Sequence, residues 1–157
     1  MELLKATPEH KEAIKNLMQF YMYDFSRFIP LDVEDDGLFA PYLHFDSYWQ
    51  EEGSRFAYII IKDEKYAGFV LVRHIEAKAH NYFSVAEFFV MKKYRREGIG
   101  TAVAKQLFNL HKGLWEVYQK ESNKPAQIFW YKVIDEYTNA KFTERFEDGK
   151  SIQSFVS

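Results

Sequence analysis

Two glycines one residue apart follow a pair of arginines in Arg95-Arg96-Glu97-Gly98-Ile99-Gly100, and this run is the stretch of sequence best suited to hold a ligand. The apolar run before it, Tyr82 to Met91, reads as a long buried strand. Behind it Ile99, Ala102, Val103, Leu107 and Leu110 recur at helical spacing, ending near Gly113. A loop between such a strand and such a helix gathers the first N–H groups of the helix, which have no intrahelical partner, at the positive end of its dipole. Those groups bind phosphate well. Gly98 and Gly100 carry no Cβ, so a diphosphate can approach the backbone closely, and Arg95 and Arg96 add positive charge. The plainer reading is a strand–helix turn with a basic exposed face. A Walker loop would need a Lys after Gly100, and a dinucleotide fingerprint would need a third glycine; both are missing.

Other residues offer weaker chemistry. Glu87 is a lone carboxylate in an apolar strand, and burying a carboxylate is costly. It is a candidate general base or substrate anchor; otherwise it points to solvent or pairs structurally. Tyr21, Tyr23, Asp24 and Ser26 form a polar and aromatic group where the first helix should end. Asp24 could attract an amine, and a capped aromatic helix end explains the group equally well. Tyr42, Tyr48 and Trp49 add aromatic surface. His74 and His80 read as ordinary surface histidines. Asp32, Glu34, Asp35 and Asp36 read as a solvated acidic loop, with no identifiable set of metal ligands. No cysteine is present, which excludes disulfides, zinc–thiolate sites and a cysteine nucleophile.

The elements that must position these groups follow from periodicity. Residues 2–6 read as a short strand, with Thr7 as a helix cap and Pro8 in the first turn. Ile14, Leu17, Met18, Tyr21, Met22 and Phe25 form one helical stripe, and Pro30 prevents its continuation. Residues 42–50 are expected to form a short aromatic helix. Apolar runs at 56–61 and 67–72 around Lys62-Asp63-Glu64-Lys65 read as a hairpin, and 114–119 as a further strand. Asn123 can cap a helix whose stripe is Ala126, Phe129, Trp130, Val133, Ile134 and Tyr137. Segments 142–146 and 152–156 flank Asp148-Gly149, a strong hairpin signal. The order βα(α)βββαβαββ implies an α/β fold, a mixed sheet with helices on its faces.

The chain has 157 residues, of which 47% are hydrophobic, and one domain over 1–157 is expected. A net charge of −2 argues against a general nucleic-acid binder. No apolar run approaches the roughly 20 residues of a membrane span, and the first residues lack the pattern of a signal peptide, so a cytoplasmic location is expected.

Arg95-Arg96-Glu97-Gly98-Ile99-Gly100 resembles the coenzyme A diphosphate loop, Arg/Gln-x-x-Gly-x-Gly/Ala, of the GNAT acetyltransferases. The upstream strand ending at Val90-Met91 resembles that family's fourth strand. Asn123-Lys124-Pro125-Ala126 and Phe129 resemble its Asn-x-x-Ala-x-x-Phe helix, and the element order matches over essentially the whole chain. The resemblance implies a central mixed, mostly antiparallel twisted sheet of about seven strands flanked by helices. It also implies acetyl-CoA as cosubstrate and an amine acceptor, in a monomer or homodimer. Val90, Met91 and their neighbours would pair with pantetheine through backbone groups in a gap between two strands. Arg95, Arg96, Glu97, Gly98, Ile99, Gly100 and Thr101 would wrap the diphosphate. Asn123, Phe129 and Trp130 would line the pantetheine arm. Tyr23, Asp24 and Ser26, with the last hairpin, would face the acceptor.

Departures from the pattern fall on the catalytic side. Many relatives carry a Tyr after the Phe of the last motif, as the acid that protonates the departing thiolate. Here Trp130 occupies that place, and its indole cannot supply a proton near neutral pH. Tyr131 follows, about 100° further round the helix. Glu87 and Tyr131 are therefore the expected base and acid of a direct transfer to a primary amine of a small molecule or peptide. Two rivals stand beside this: a GNAT-fold module that binds acyl-CoA without turnover, favoured by Trp130, and an α/β nucleotide binder.

Overall fold

The computed structural model describes all 157 residues. Seven strands form one sheet in the order β1-β2-β3-β4-β5-β7-β6. They are β1 (Glu2–Lys5), β2 (Arg55–Lys62), β3 (Lys65–Glu76), β4 (Asn81–Val90), β5 (Leu114–Lys120), β6 (Thr143–Glu147) and β7 (Lys150–Val156). Every neighbouring pair is antiparallel except β4 and β5, which are parallel. Three helices complete the order: α1 (Lys11–Phe25), α2 (Ile99–Leu110) and α3 (Lys124–Thr138).

The apolar stripes read from sequence pack on opposite faces of this sheet. Ile14, Leu17 and Met18 of α1 bury with Ile59, Phe69, Leu71 and Phe89. Val103, Leu107 and Phe108 of α2 and Trp130, Val133 and Ile134 of α3 bury with Val70, Val72, Val85, Trp115 and Phe155. The second layer is larger, 20 buried residues against 10, so the α2–α3 face supplies most of the apolar burial. No helix is long and apolar enough to cross a membrane.

Turn chemistry sets the boundaries. Asp63 and Glu64, with φ of 50° and 59°, make the tight turn between β2 and β3, and that hairpin runs longer than its apolar core predicted. Asp148 and Gly149 do the same between β6 and β7. The helix expected over 42–50 is only a 3₁₀ turn, Phe45–Trp49, because His44 is left-handed (φ 59°) and breaks the run before it. Asp36 in the acidic patch accepts the Leu38 N–H and so holds a turn. Thr7 and His10 form a capping box ahead of α1, and Asn123 Oδ1 accepts the Ala126 N–H at 3.2 Å ahead of α3.

Two irregularities in β4 govern the site. Between Leu71 and Val72 the β3–β4 register shifts, so Leu71 faces Glu87, Val72 faces Val85, and Ala86 is the extra, bulged residue. Phe83 and Val85 lie on the α2–α3 face before the bulge, and Phe88 and Val90 lie on it afterwards. The bulge thus changes the phase of alternation and turns Glu87 toward the α1 face. The second irregularity concerns β5: Phe83 and Trp115 are the single register pair that joins it to β4. Beyond that pair the strands diverge and leave a gap.

Candidate active site

A cavity of about 690 Å³ fills the gap. Its walls are Val85 to Val90 of β4 and Val117 to Lys120 of β5. One end is closed by the loop before α2, the other by the end of α1.

At the α2 end the ligand-facing groups are main chain. The first intrahelical bond of α2 runs from Ala102 N–H to Gly98 C=O, so the N–H groups of Ile99, Gly100 and Thr101 find no backbone acceptor. Gly98 is left-handed (φ 77°) with open space where a Cβ would stand. Gly100 has a different reason to be glycine: a Cβ there would lie 3.1 Å from the Phe129 ring. It permits close packing of α2 on α3, where sequence reasoning had assigned it to ligand approach. Arg96 is exposed and lines the cavity, whereas the Glu97 side chain is exposed without lining it and Ile99 is buried in the core.

Arg95 lines the cavity but is already engaged. Its Nε donates to Val90 O at 2.7 Å, and its Nη2 donates to Asp24 Oδ2 at 2.8 Å. Lys92 Nζ lies 3.9 Å from Asp24 Oδ1. Asp24, expected to attract an amine, is instead clasped by cations from the loop, and this clasp ties the end of α1 to the end of β4. The Val90 carbonyl is taken in the same way. Met91 N–H bonds Ala67 O in β3, so the carbonyl across that peptide points into the gap, where Arg95 meets it. The neighbouring peptide is opposite in sense. A Cβ on Gly68 would sit 2.0 Å from Phe89 O, so that carbonyl faces β3 and Val90 N–H faces the gap.

Deeper in the gap the walls become aromatic. Phe88 meets Trp130 edge-on at 5.0 Å between centroids and Phe129 at 5.7 Å. Gln119 is 4% exposed; its Nε2 donates to Gln153 Oε1 at 2.8 Å, and its Oε1 has no partner. An orphaned acceptor beside a strand-wide gap suits an amide N–H, and free N–H groups at the helix start suit a phosphate. The residues present therefore fit coenzyme A, with Asn123 and Phe129 alongside as expected lining.

At the α1 end the groups are side chains. Tyr42 Oη donates to Glu87 Oε1 at 2.9 Å. Burial holds the Glu87 carboxyl above the usual carboxylate range, against hydrogen bonding from Tyr21 and Tyr42 that favours the charged form. Burial, then the Glu87 charge, pushes the hydroxyls of Tyr21, Tyr42 and Tyr118 up. These three tyrosines stay protonated through the neutral range, and they surround a carboxylate withdrawn from water.

Sequence reasoning found Glu87 but not this surround. Tyr118 follows Val117 on β5 and alternation alone places it on the face opposite Trp115 and Val117, a usable signal. Tyr42 comes from an irregular stretch 45 residues away from Glu87 and has no local signal. Several expected residues stand outside the cavity. Tyr131 is 49% exposed and meets Phe142 edge-on. Tyr23 is 70% exposed, Ser26 Oγ donates to Tyr23 O, and Met91 packs into the core. The β6–β7 hairpin, expected to close the acceptor pocket beside α1, contributes nothing to this cavity's walls.

A strand-wide gap in a mixed seven-stranded sheet, opening on a free helix start, defines the class. A model of the acetyltransferase (GNAT) family matches residues 14–134, and the chain belongs to that family. Solved structures share the fold at low identity. The PaiA N-acetyltransferase of Thermoplasma acidophilum, in complex with coenzyme A, aligns with a TM-score of 0.69 at 13% identity, over 99% of this chain and 98% of that one. The Streptococcus mutans protein smu.2055 aligns with a TM-score of 0.70 at 17% identity, over 99% of each chain. The ribosomal-protein-S18-alanine N-acetyltransferase of Escherichia coli gives 0.63 at 13%, over 99% of this chain and 92% of that one. A comparison with curated proteins finds no match.

Proposed function

We propose that this chain acts as a single-domain, acetyl-CoA-dependent N-acetyltransferase that moves the acetyl group directly to a primary amine of a small molecule or peptide. The observation that carries the reading is one continuous cavity, running from the partnerless N–H groups of residues 99–101 to the Glu87 carboxylate. Bound acetyl-CoA supplies an acetyl group already activated as a thioester.

The chain's own residues supply the rest. Ile99, Gly100 and Thr101 hold the diphosphate with N–H groups, helped by Arg96. Val90 N–H donates to the thioester oxygen, on which negative charge grows as the amine nitrogen bonds to the acetyl carbon. Glu87 takes the amine proton, and its raised pKa makes it the stronger base for that step. As the carbon–sulfur bond breaks, Tyr118, which lines the cavity together with Tyr21, returns a proton to sulfur; Tyr131 lies outside the cavity. No cysteine is available to carry the acetyl group on the way.

Initial rates of free-thiol release across a panel of amines test this. Intersecting double-reciprocal plots are expected; parallel lines with an isolable acetylated protein would overturn the direct transfer. One observation favours binding without turnover: no hydroxyl of α3 faces the gap, since Trp130 packs there and Tyr131 points out. Coenzyme A binding with no thiol release for any amine would establish that second reading.

A further inference from the structure

The β6–β7 hairpin forms no wall of the cavity, yet a chain of polar side chains runs from it to that wall. Ser151 of β7 stands opposite Gln119 of β5, and Gln153 of β7 stands opposite Glu144 of β6. Register partners share a face of a sheet, and so do residues two apart on one strand. All four side chains therefore lie on the α3 face, with Trp115 and Phe155. Gln153 and Ser151 are buried, while Glu144 is exposed on the outermost strand.

The direction of each hydrogen bond in this chain is fixed from its outer end. An ionised carboxylate can only accept. Glu144 Oε2 accepts from Gln153 Nε2 at 2.8 Å and from Ser151 Oγ at 3.2 Å. Ser151, its own proton used, accepts the second Gln153 Nε2 hydrogen at 2.9 Å. Both amide hydrogens of Gln153 are then spent, and its Oε1 is left to receive Gln119 Nε2 at 2.8 Å. A reversed Gln119 amide would set oxygen against oxygen. Gln119 Oε1 is thus the atom left over at the inner end: it is closed to solvent and meets no donor. An unpaired buried acceptor costs free energy, and Gln119 borders the cavity, so a ligand in the gap can supply what the protein does not.

We propose that Glu144, outside the cavity, is a positioning residue for acetyl-CoA: acting through Gln153, it keeps the Gln119 carbonyl turned to receive an amide N–H of the pantetheine arm. This rests on the acetyltransferase reading above. The nucleotide end is held separately by the α2 loop, so the relay senses the arm and is indifferent to the phosphates.

Calorimetry with coenzyme A and with 3′-phospho-ADP, which keeps the diphosphate but lacks the arm, tests this. In Gln119→Met and in Glu144→Lys, coenzyme A affinity should fall by about three- to tenfold, the worth of one hydrogen bond, while 3′-phospho-ADP affinity holds. Glu144→Gln keeps an acceptor oxygen and should restore most of the loss. In the Gln119→Met background Glu144→Lys should have no further effect, since the path it acts through is gone. Unchanged coenzyme A affinity in Glu144→Lys, additive losses in the double variant, or equal losses for both ligands would overturn the relay. Failure of coenzyme A to bind the wild-type protein would overturn the acetyltransferase reading instead.

Discussion

At the α2 end of the gap the ligand-facing groups are main-chain N–H groups from one continuous stretch, whereas at the α1 end they are side chains from four separate ones. The first end is basic and open: Arg96 and Gly98 are exposed, and nothing lies within 4 Å of a Cβ built on Gly98. At the second a carboxylate is withdrawn from water, and Tyr21, Tyr42, Glu87 and Tyr118 converge there from α1, the loop after it, β4 and β5. A main-chain site needs a backbone path and is nearly indifferent to side chains except where glycine is required. A side-chain site needs the fold complete before it exists. The two ends should therefore break in different ways.

The largest effect is expected at Glu87. In Glu87→Gln, kcat should fall by about 10²–10⁴, the usual contribution of a positioned base, with coenzyme A affinity unchanged. Stability should move the other way. The folded state raises the Glu87 pKa, so it holds that proton more tightly than the unfolded chain does. The associated stability is present below the ordinary carboxylate range and is lost as pH rises through the raised folded value. Glutamine never ionises, so the variant should be at least as stable as wild type at pH 7–8 in thermal unfolding. Loss of both activity and Tm would make Glu87 a structural residue and remove the contrast between the two ends.

Gly98→Val tests the main-chain end. A left-handed backbone costs an L residue about 1–2 kcal/mol, enough to reset the loop, so coenzyme A affinity should fall about tenfold or more in calorimetry. Gly100→Ala displaces the Phe129 ring and should cost stability more than affinity. If neither variant changes coenzyme A affinity, the loop does not hold the diphosphate.

What could be read from sequence divides along the same line. Gly98, Gly100 and the strand and helix around them are neighbours in the chain, so periodicity and glycine spacing exposed that loop. The two apolar stripes likewise placed α1 and α2 on the sheet. Glu87 was visible only as an anomaly, because its direction depends on a bulge at Ala86 that no residue type announces. Tyr42 was unreadable, since its place at Glu87 depends on the irregular path between α1 and β2. The Asp24–Arg95 clasp joins residues 71 positions apart, and each had been assigned to a ligand on its own.

The proton donor gives a smaller effect. Tyr118→Phe should lower kcat by less than about tenfold, because a thiol of pKa near 8.5 leaves without much help. Tyr131→Phe should leave kcat unchanged, its ring being outside the cavity. The reverse order in steady-state rates would move the acid back to α3.

The smallest effect is expected at the apex, where the two ends of the gap share one hinge of packing. Phe83 and Trp115 are the register pair holding β4 to β5, and His111 packs on both, at 5.0 and 6.2 Å between centroids. Phe56 lies 4.5 Å from the same ring, and His111 Nε2 is 2.7 Å from Tyr58 Oη. Burial, then the neighbouring His74 on β3, lowers the His111 pKa below its ordinary 6.5. The unfolded chain therefore binds this proton more tightly than the folded one. Stability from the neutral ring is fully present above about pH 6.5 and is lost as pH falls through the folded value. Thermal unfolding of wild type should accordingly show Tm declining over that acid range, and His111→Gln, which keeps an acceptor for Tyr58 but does not titrate, should flatten the decline. An unaltered pH slope in the variant would assign the acid sensitivity to other groups. A flattened slope would mean that protonation at the apex loosens the packing from which both halves of the cavity diverge.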